Sequence, residues 1–414
     1  MLKKIGYILD NGENIILHYF YEHKNIVFFM CINVIGLVLR YHGKDFLSAD
    51  AEVFLIPWYN EISQGGGIKA LSNQVGNYNI LYQTIIALLS YIPVYSLYLY
   101  KIISVFFDYI LAFSSAVLVC RLSSRKMFDW IFQITYTVVL LLPTVVLNSA
   151  YWAQCDSMYV SFIILTLLSF YEERYTWAFI FLGVAFAFKF QTIFIVPFVL
   201  CLMVYRKVTK GLHYSLIVGI LISSLCLCLS GIGGYVNGRP LISVFTLYAE
   251  QAGQYQSMWM NAPSFWVLVG NNYEFLHIFA IGLTIALCGI GLMYILNHEN
   301  CLDGGEAFMA AATWFVWICF LFLPAMHERY AYMLDIFLLI LCFFRIEYVK
   351  FFGVSFISSL MQYGLYLFNP NAVHVERWQA LACVVAWGWF TVDLLRKVRL
   401  NTVRTKNESP KEPK

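Results

Sequence analysis

Twelve apolar blocks divide this chain, each near the roughly 20 residues that carry a helix across a bilayer, or somewhat shorter where neighbouring helices shelter it. Their limits fall at about 25–40, 98–120, 128–147, 157–171, 175–189, 191–205, 213–230, 275–296, 307–323, 330–346, 351–368 and 378–395. The pattern predicts an all-α polytopic membrane protein of one domain over residues 1–400, with no internal repeat. Two connections are long, 41–97 after the first block and 231–274 later, and loops of that length in a compact protein are usually functional. Within the first, Asn79 to Pro93 is apolar yet too short to cross comfortably, which predicts a re-entrant or interfacial helix.

The cations between blocks set the orientation. Lys3, Lys4 and Lys24, Arg121 with Arg125 and Lys126, Arg206 with Lys207 and Lys210, Arg345 with Lys350, and the tail from Arg396 all fall on one side, which the positive-inside rule makes cytoplasmic. An even number of spans puts both termini there and both long loops outside. Were Asn79 to Pro93 to cross, Arg121, Arg125 and Lys126 would land outside, against the rule. The polar first 24 residues lack a cleavable apolar core, so a retained signal anchor is expected. The Lys/Glu/Pro-rich segment 401–414 reads as a disordered cytoplasmic tail.

Composition agrees with lipid as the solvent: 61% of residues are hydrophobic and 12% charged, against roughly 25% charged in soluble domains. A net charge of +3, with the cations gathered beside apolar blocks, gives no basis for a nucleic-acid partner. The eleven cysteines lie mostly inside apolar blocks without CxxC spacing, as free thiols packed like small hydrophobes, and no Cys/His cluster calls for a metal.

Ionisable residues at membrane depth are costly, so each carries a functional reading beside a plainer one. Asp50 lies about ten residues beyond the first block, ahead of an aromatic stretch through Trp58; it is a candidate base, or else a solvated loop acid or helix cap. Asp108 stands inside a block as a structural polar pair, with Lys101 two turns away as the nearest candidate donor. Asn148 to Ser157, with Trp152, Gln154 and Asp156, outlines an aromatic-walled polar pocket or a capped helix start. Lys189 and Gln191 sit at a hairpin where a lysine can hold phosphate or snorkel. His327, Glu328 and Arg329 mark a helix break suited to an anion, or a simple Glu328–Arg329 ion pair. Asp50, Asp156, Lys189 and His327 to Arg329 all come out on the outer face, although that face was fixed by cations elsewhere.

Six segments in order resemble the GT-C membrane glycosyltransferases, and within them bacterial proteins similar to the GPI mannosyltransferases. They are Asp50 to Tyr59 with Gly65-Gly66-Gly67, Asn77-Tyr78-Asn79, Lys101 to Asp108, Trp152 to Ser157, Phe188-Lys189-Phe190-Gln191, and Met326 to Tyr330. The resemblance implies an outward-facing site and inverting transfer from a polyprenyl-phosphate sugar, with an acid in the first outer loop as base, which maps onto Asp50. Relatives often carry two aspartates one residue apart; Glu52 stands in the second place as an acid or metal partner. Arg329, His327 and Lys189 are then expected to hold the donor phosphate, and Trp58, Tyr78, Trp152, Gln154, Asp156, Gln191 and Glu328 to line the substrate pocket. A divalent cation is optional and no other cofactor is implied. The expected activity moves a hexose or N-acetylhexosamine to a hydroxyl of a cell-envelope glycan or glycolipid at a bacterial plasma membrane. Rival readings are a flippase or transporter for a lipid-linked saccharide, without the inverted repeat such folds carry, and a polysaccharide polymerase.

Overall fold

The computed structural model describes residues 18, 21–369 and 374–408. The expected N-terminal anchor falls largely on residues outside these, as do 409–414 of the tail. The last helix runs on to Glu408, through the first part of the segment read as disordered.

The described chain is almost wholly helical. We label α1 (Lys24–His42), α2 (Ile56–Gln64), α3 (Ile80–Leu89), α4 (Ser96–Leu122), α5 (Trp130–Leu140), α6 (Asp156–Tyr171), α7 (Tyr175–Phe188), α8 (Val196–Lys210), α9 (Leu216–Ser230), α10 (Ser243–Gly253), α11 (Tyr273–Leu296), α12 (Gly305–Phe322), α13 (Tyr332–Cys342), α14 (Val349–Phe368) and α15 (Arg377–Glu408). The only sheet among the described residues pairs β1 (Trp259–Met260) with β2 (Met326–His327) in parallel, tying the second long loop to the α12–α13 connection.

Among the described residues seven helices are long and apolar enough to cross a membrane, and an eighth candidate is a bent pair. The expected continuous helix over 128–147 is that pair: α5 stops at Leu140, and the chain resumes after a 50° bend at Pro143–Tyr151. Pro143 has no N–H to give back to the turn before it, so it opens a new helix instead of continuing the old one. Asp156–Tyr171, Tyr175–Phe188, Leu216–Ser230 and Tyr332–Cys342, which carry four of the expected spans, are apolar but shorter. The chain is thus an all-α polytopic membrane protein.

One group of helices forms around α4, which packs on α5 and α6, with α6 on α7 and α7 on α9. A second gathers around α12, which packs on α11, α13 and α15; α8 packs on α11 and α12, and its Arg206 donates to the Phe170 carbonyl of α6 in the first group. α12 is buried along nearly its whole length, and Gly305 at its start is pressed on the backbone of α4, where an added Cβ would lie 2.1 Å from the Leu122 carbonyl oxygen. The outer sides of α1, α9 and α11 expose large apolar residues such as Val34, Leu221 and Ile285, as a lipid-facing surface should. All eleven cysteines are free thiols.

Both long loops fold into short helices. The first holds α2, a 3-10 turn at Gly67–Ser72, and α3, a ten-residue helix that buries Ile80, Tyr82, Gln83, Ile86 and Ala87. Asn79 starts α3 by accepting from the Ile80 amide. Arg239 of the second loop donates to the Asn73 carbonyl and the Gln74 side chain, locking the two loops together over one end of the bundle.

Candidate functional site

Four segments converge at that end. Lys101 fixes the first: its ammonium donates to the carbonyls of Gly43 (2.7 Å), Lys44 (3.1 Å) and Phe46 (2.6 Å), satisfying orphan groups where α1 ends. Lys101 is therefore not the partner of Asp108. That carboxylate accepts from Arg40 Nε at 2.8 Å and from Ser149, with all three side chains buried. Arg40 also donates to the Leu140 carbonyl at 2.9 Å, the group released by the break after α5.

Ser48 then turns the chain towards the site, accepting from the Ala51 amide and donating to the Trp152 carbonyl. Asp50 follows, and its side chain caps no helix. Its Oδ2 accepts from Trp152 Nε1 (2.8 Å), Gln154 Nε2 (2.9 Å) and Arg329 Nη1 (2.9 Å), while Oδ1 accepts from the Tyr366 hydroxyl. Burial alone raises this carboxyl's pKa. The Arg329 charge and the hydrogen bonds from Tyr366, Trp152 and Arg329 outweigh it, and the net shift is downward. Asp50 is thus held as the carboxylate. Oδ1, with one donor, keeps a lone pair free.

Trp152 and Gln154 both reach Asp50 because Ala153 between them sits in left-handed backbone (φ 61°), a conformation that costs a non-glycine residue on the order of 1 kcal/mol. Trp152 is fully buried, so it is no interfacial belt residue; it stacks on Tyr366 at 4.4 Å and lies 5.5 Å from the Arg329 guanidinium. Asp156, the first residue of α6, accepts from Asn148 Nδ2 at 2.8 Å and pairs with Lys189; Arg329 Nε lies 4.0 Å from its Oδ2. Lys189 occupies the extended joint between α7 and the turn leading to α8, and it is buried and paired instead of snorkelling. Two carboxylates and two cations thus sit together with their charges balanced, and Arg329 pairs with Asp50 and Asp156, not with Glu328.

Arg329, Lys189 and His327 face a cavity of about 340 Å³ that Tyr78 and Gln191 also line. Part of its wall is apolar, from Ile193, Phe194, Ile281 and Leu323, and Ile281 belongs to the outward-facing α11. His327, expected beside Arg329 and Lys189 at the donor phosphate, lines the cavity without a charge of its own. Burial, then the charges of Arg329 and Lys189, push its pKa down to about 3, so it meets a ligand as a neutral imidazole. Ala325 just before β2 is again left-handed (φ 59°), and the rings of Tyr255 and Tyr330 flank His327 at 4.7 and 5.0 Å.

Glu328 turns away from the cavity wall into full burial, where it meets Asn261; burial pushes its carboxyl up to about 7. Glu52 is exposed and makes no ion pair or side-chain hydrogen bond among the described residues, so it stays outside the constellation. Trp58 supports the site from behind, its ring edge-on to Tyr78 at 5.7 Å, and Tyr78 donates to Gln154 at 2.9 Å. Tyr366 is the contact that sequence reasoning missed. Its signal was a polar stripe on one face of α14, Ser355, Ser359, Gln362 and Tyr366, at helical spacing inside an apolar block. Among the described residues no group of three or more His, Cys, Asp or Glu forms a metal cluster.

Fold and site together define a polytopic membrane protein with a charge-balanced constellation, buried beside the two long loops and open to an amphiphilic cavity. No family model matches the chain, and no curated protein sequence is detectably similar to it.

Proposed function

We propose that this chain is an inverting glycosyltransferase that moves a hexose or N-acetylhexosamine from a polyprenyl-phosphate donor to a hydroxyl of a cell-envelope glycan or glycolipid. The observation that carries the reading is the position of Arg329: one nitrogen is bonded to Asp50, Nε is buried without a hydrogen-bond partner, and the residue lines the cavity beside Lys189. A guanidinium so placed can meet phosphate oxygens while holding a carboxylate behind it. The apolar wall of Ile193, Phe194 and Ile281 suits a prenyl chain entering from the bilayer.

In the reaction, the acceptor oxygen attacks the anomeric carbon as Asp50 Oδ1 takes its proton. The bond from that carbon to the phosphate oxygen breaks, prenyl phosphate leaves with the electron pair, and the centre inverts. Arg329 and Lys189 stabilise the leaving phosphate, which a neutral His327 assists as a hydrogen-bond donor; removing such a donor costs about two to three orders of magnitude in rate. Twelve spans with both termini cytoplasmic suit this assignment: seven long helices, the bent pair and the four shorter apolar helices from α6, α7, α9 and α13, with α3 re-entrant. The site then faces outward from the plasma membrane.

The test supplies purified wild type and Asp50→Asn with synthetic polyprenyl-phosphate sugars and an envelope extract as acceptor, following sugar release from lipid. Release by wild type that collapses in a folded Asp50→Asn supports the assignment. Intact donor with every sugar, together with donor crossing liposome bilayers, would identify a flippase instead.

A further inference from the structure

The two cations of the cavity are both committed to carboxylates, yet the rest of its polar wall carries no charge. What it presents are carboxamides and rings: Asn77 from the first outer loop, Gln191 from the α7–α8 joint, and Gln251, Gln254 and Tyr255 from the second outer loop. Gln251 donates through Nε2 to the Asn77 carbonyl, so the two loops meet at this wall. Gln191 Oε1 is buried with no hydrogen-bond partner, a strong acceptor that the fold itself leaves unused.

We infer that this wall is the saccharide subsite, and that the second outer loop, through Gln251, Gln254 and Tyr255, reads a neutral polyhydroxylated ring beside the phosphate. The inference rests on the proposed transferase reading. Each carboxamide offers two donors and an acceptor, and each sugar hydroxyl offers both, so amides match a polyol group for group. Aromatic faces cover the apolar C–H side of such a ring. A hexuronic acid or a phosphorylated sugar brings a further negative charge that finds no uncommitted cation here, and an unpaired buried charge is strongly disfavoured. The class selected is therefore a neutral hexose or its N-acetylamino derivative, bound with its phosphate towards Arg329 and its hydroxyls towards the loop.

The experiment measures donor KM and kcat for wild type, Gln191→Leu, Asn77→Ala and Gln254→Ala, with thermal stability in detergent alongside. The donors are a synthetic polyprenyl-phosphate hexose and its hexuronic acid counterpart. Because Gln191 Oε1 satisfies nothing in the fold, Gln191→Leu keeps or raises Tm while donor KM rises roughly 3- to 10-fold, one lost hydrogen bond's worth. The alanine variants behave alike with smaller changes in kcat, and wild type turns over the neutral donor only. Normal transfer with unchanged KM in all three variants, or equal turnover of the hexuronic acid donor, overturns the subsite and leaves the transferase standing. Absence of transfer from any donor by wild type overturns both.

Discussion

Asp50 receives four hydrogen bonds, which ionise it and at the same time weaken it as a base. Tyr366 is the donor on the oxygen that faces the reaction, so Tyr366→Phe returns some of that basicity. Proton uptake then begins at higher pH, and the acid limb of the activity profile shifts up by about one unit; an unmoved limb would take the base role from Asp50. The neighbours Glu328 and His327 make opposite demands. Glu328, raised from 4.5 to about 7, binds its proton more tightly in the fold, so stability falls as pH climbs through that window. His327, lowered from 6.5 to about 3, does the reverse, and stability is lost as pH falls below 6.5. The two nearly cancel between pH 4.5 and 6.5. Tm against pH in detergent should therefore expose one slope per variant: stability rising with pH in Glu328→Gln, and falling from pH 4.5 to 7 in His327→Asn. The slope unmasked in His327→Asn is worth roughly 3 kcal/mol across its window and the wider one in Glu328→Gln roughly 5 kcal/mol.

At the scale of elements, the helix break after α5 matters most. The turn Leu147–Tyr151 that follows it supplies Asn148 to Asp156 and leads into Trp152 and Gln154, so half the site hangs on its position. That position is held by the buried Arg40–Asp108 pair, through Ser149 on one side and the Leu140 carbonyl on the other. Asp108→Ala strands a buried guanidinium and should cost about 3 to 5 kcal/mol, whereas the apolar double variant Arg40→Met with Asp108→Leu loses much less. Thermal unfolding in detergent compares them, and equal losses would deny the pair its stabilising geometry. The double variant still forfeits the anchor of the turn, so its activity falls further than its stability. The apolar run over 128–147 was plain, but not the break inside it, nor Arg40 as partner: Arg40 lies 68 residues from Asp108, and Lys101 was nearer in sequence. Sequence distance ranks donors poorly once helices pack.

For the whole molecule, the proposed topology places residues 69 and 238 on one face and 126 and 207 on the other. In a cysteine-free background, single cysteines at Lys69 and Gly238 should react with an impermeant maleimide on intact cells, and those at Lys126 and Lys207 only after lysis. Reaction of the second pair on intact cells would invert the site. Much of this molecule was legible in its sequence because lipid imposes a simple rule: backbone polar groups must be satisfied within the segment, so apolar runs become helices and cations mark their sides. The gathering of Asp50, Asp156, Lys189 and Arg329 at one end was readable for the same reason, since the last three stand where an apolar run begins or ends and Asp50 lies in the loop after the first block. Pairing was not. Tertiary structure alone gave Arg329 to Asp50 instead of Glu328, Tyr366 to the same carboxylate, and exposure to Glu52, and it took the charge from His327. Those outcomes depend on which atoms lie within about 3 Å of each other and how far water is excluded, and a linear pattern carries neither quantity.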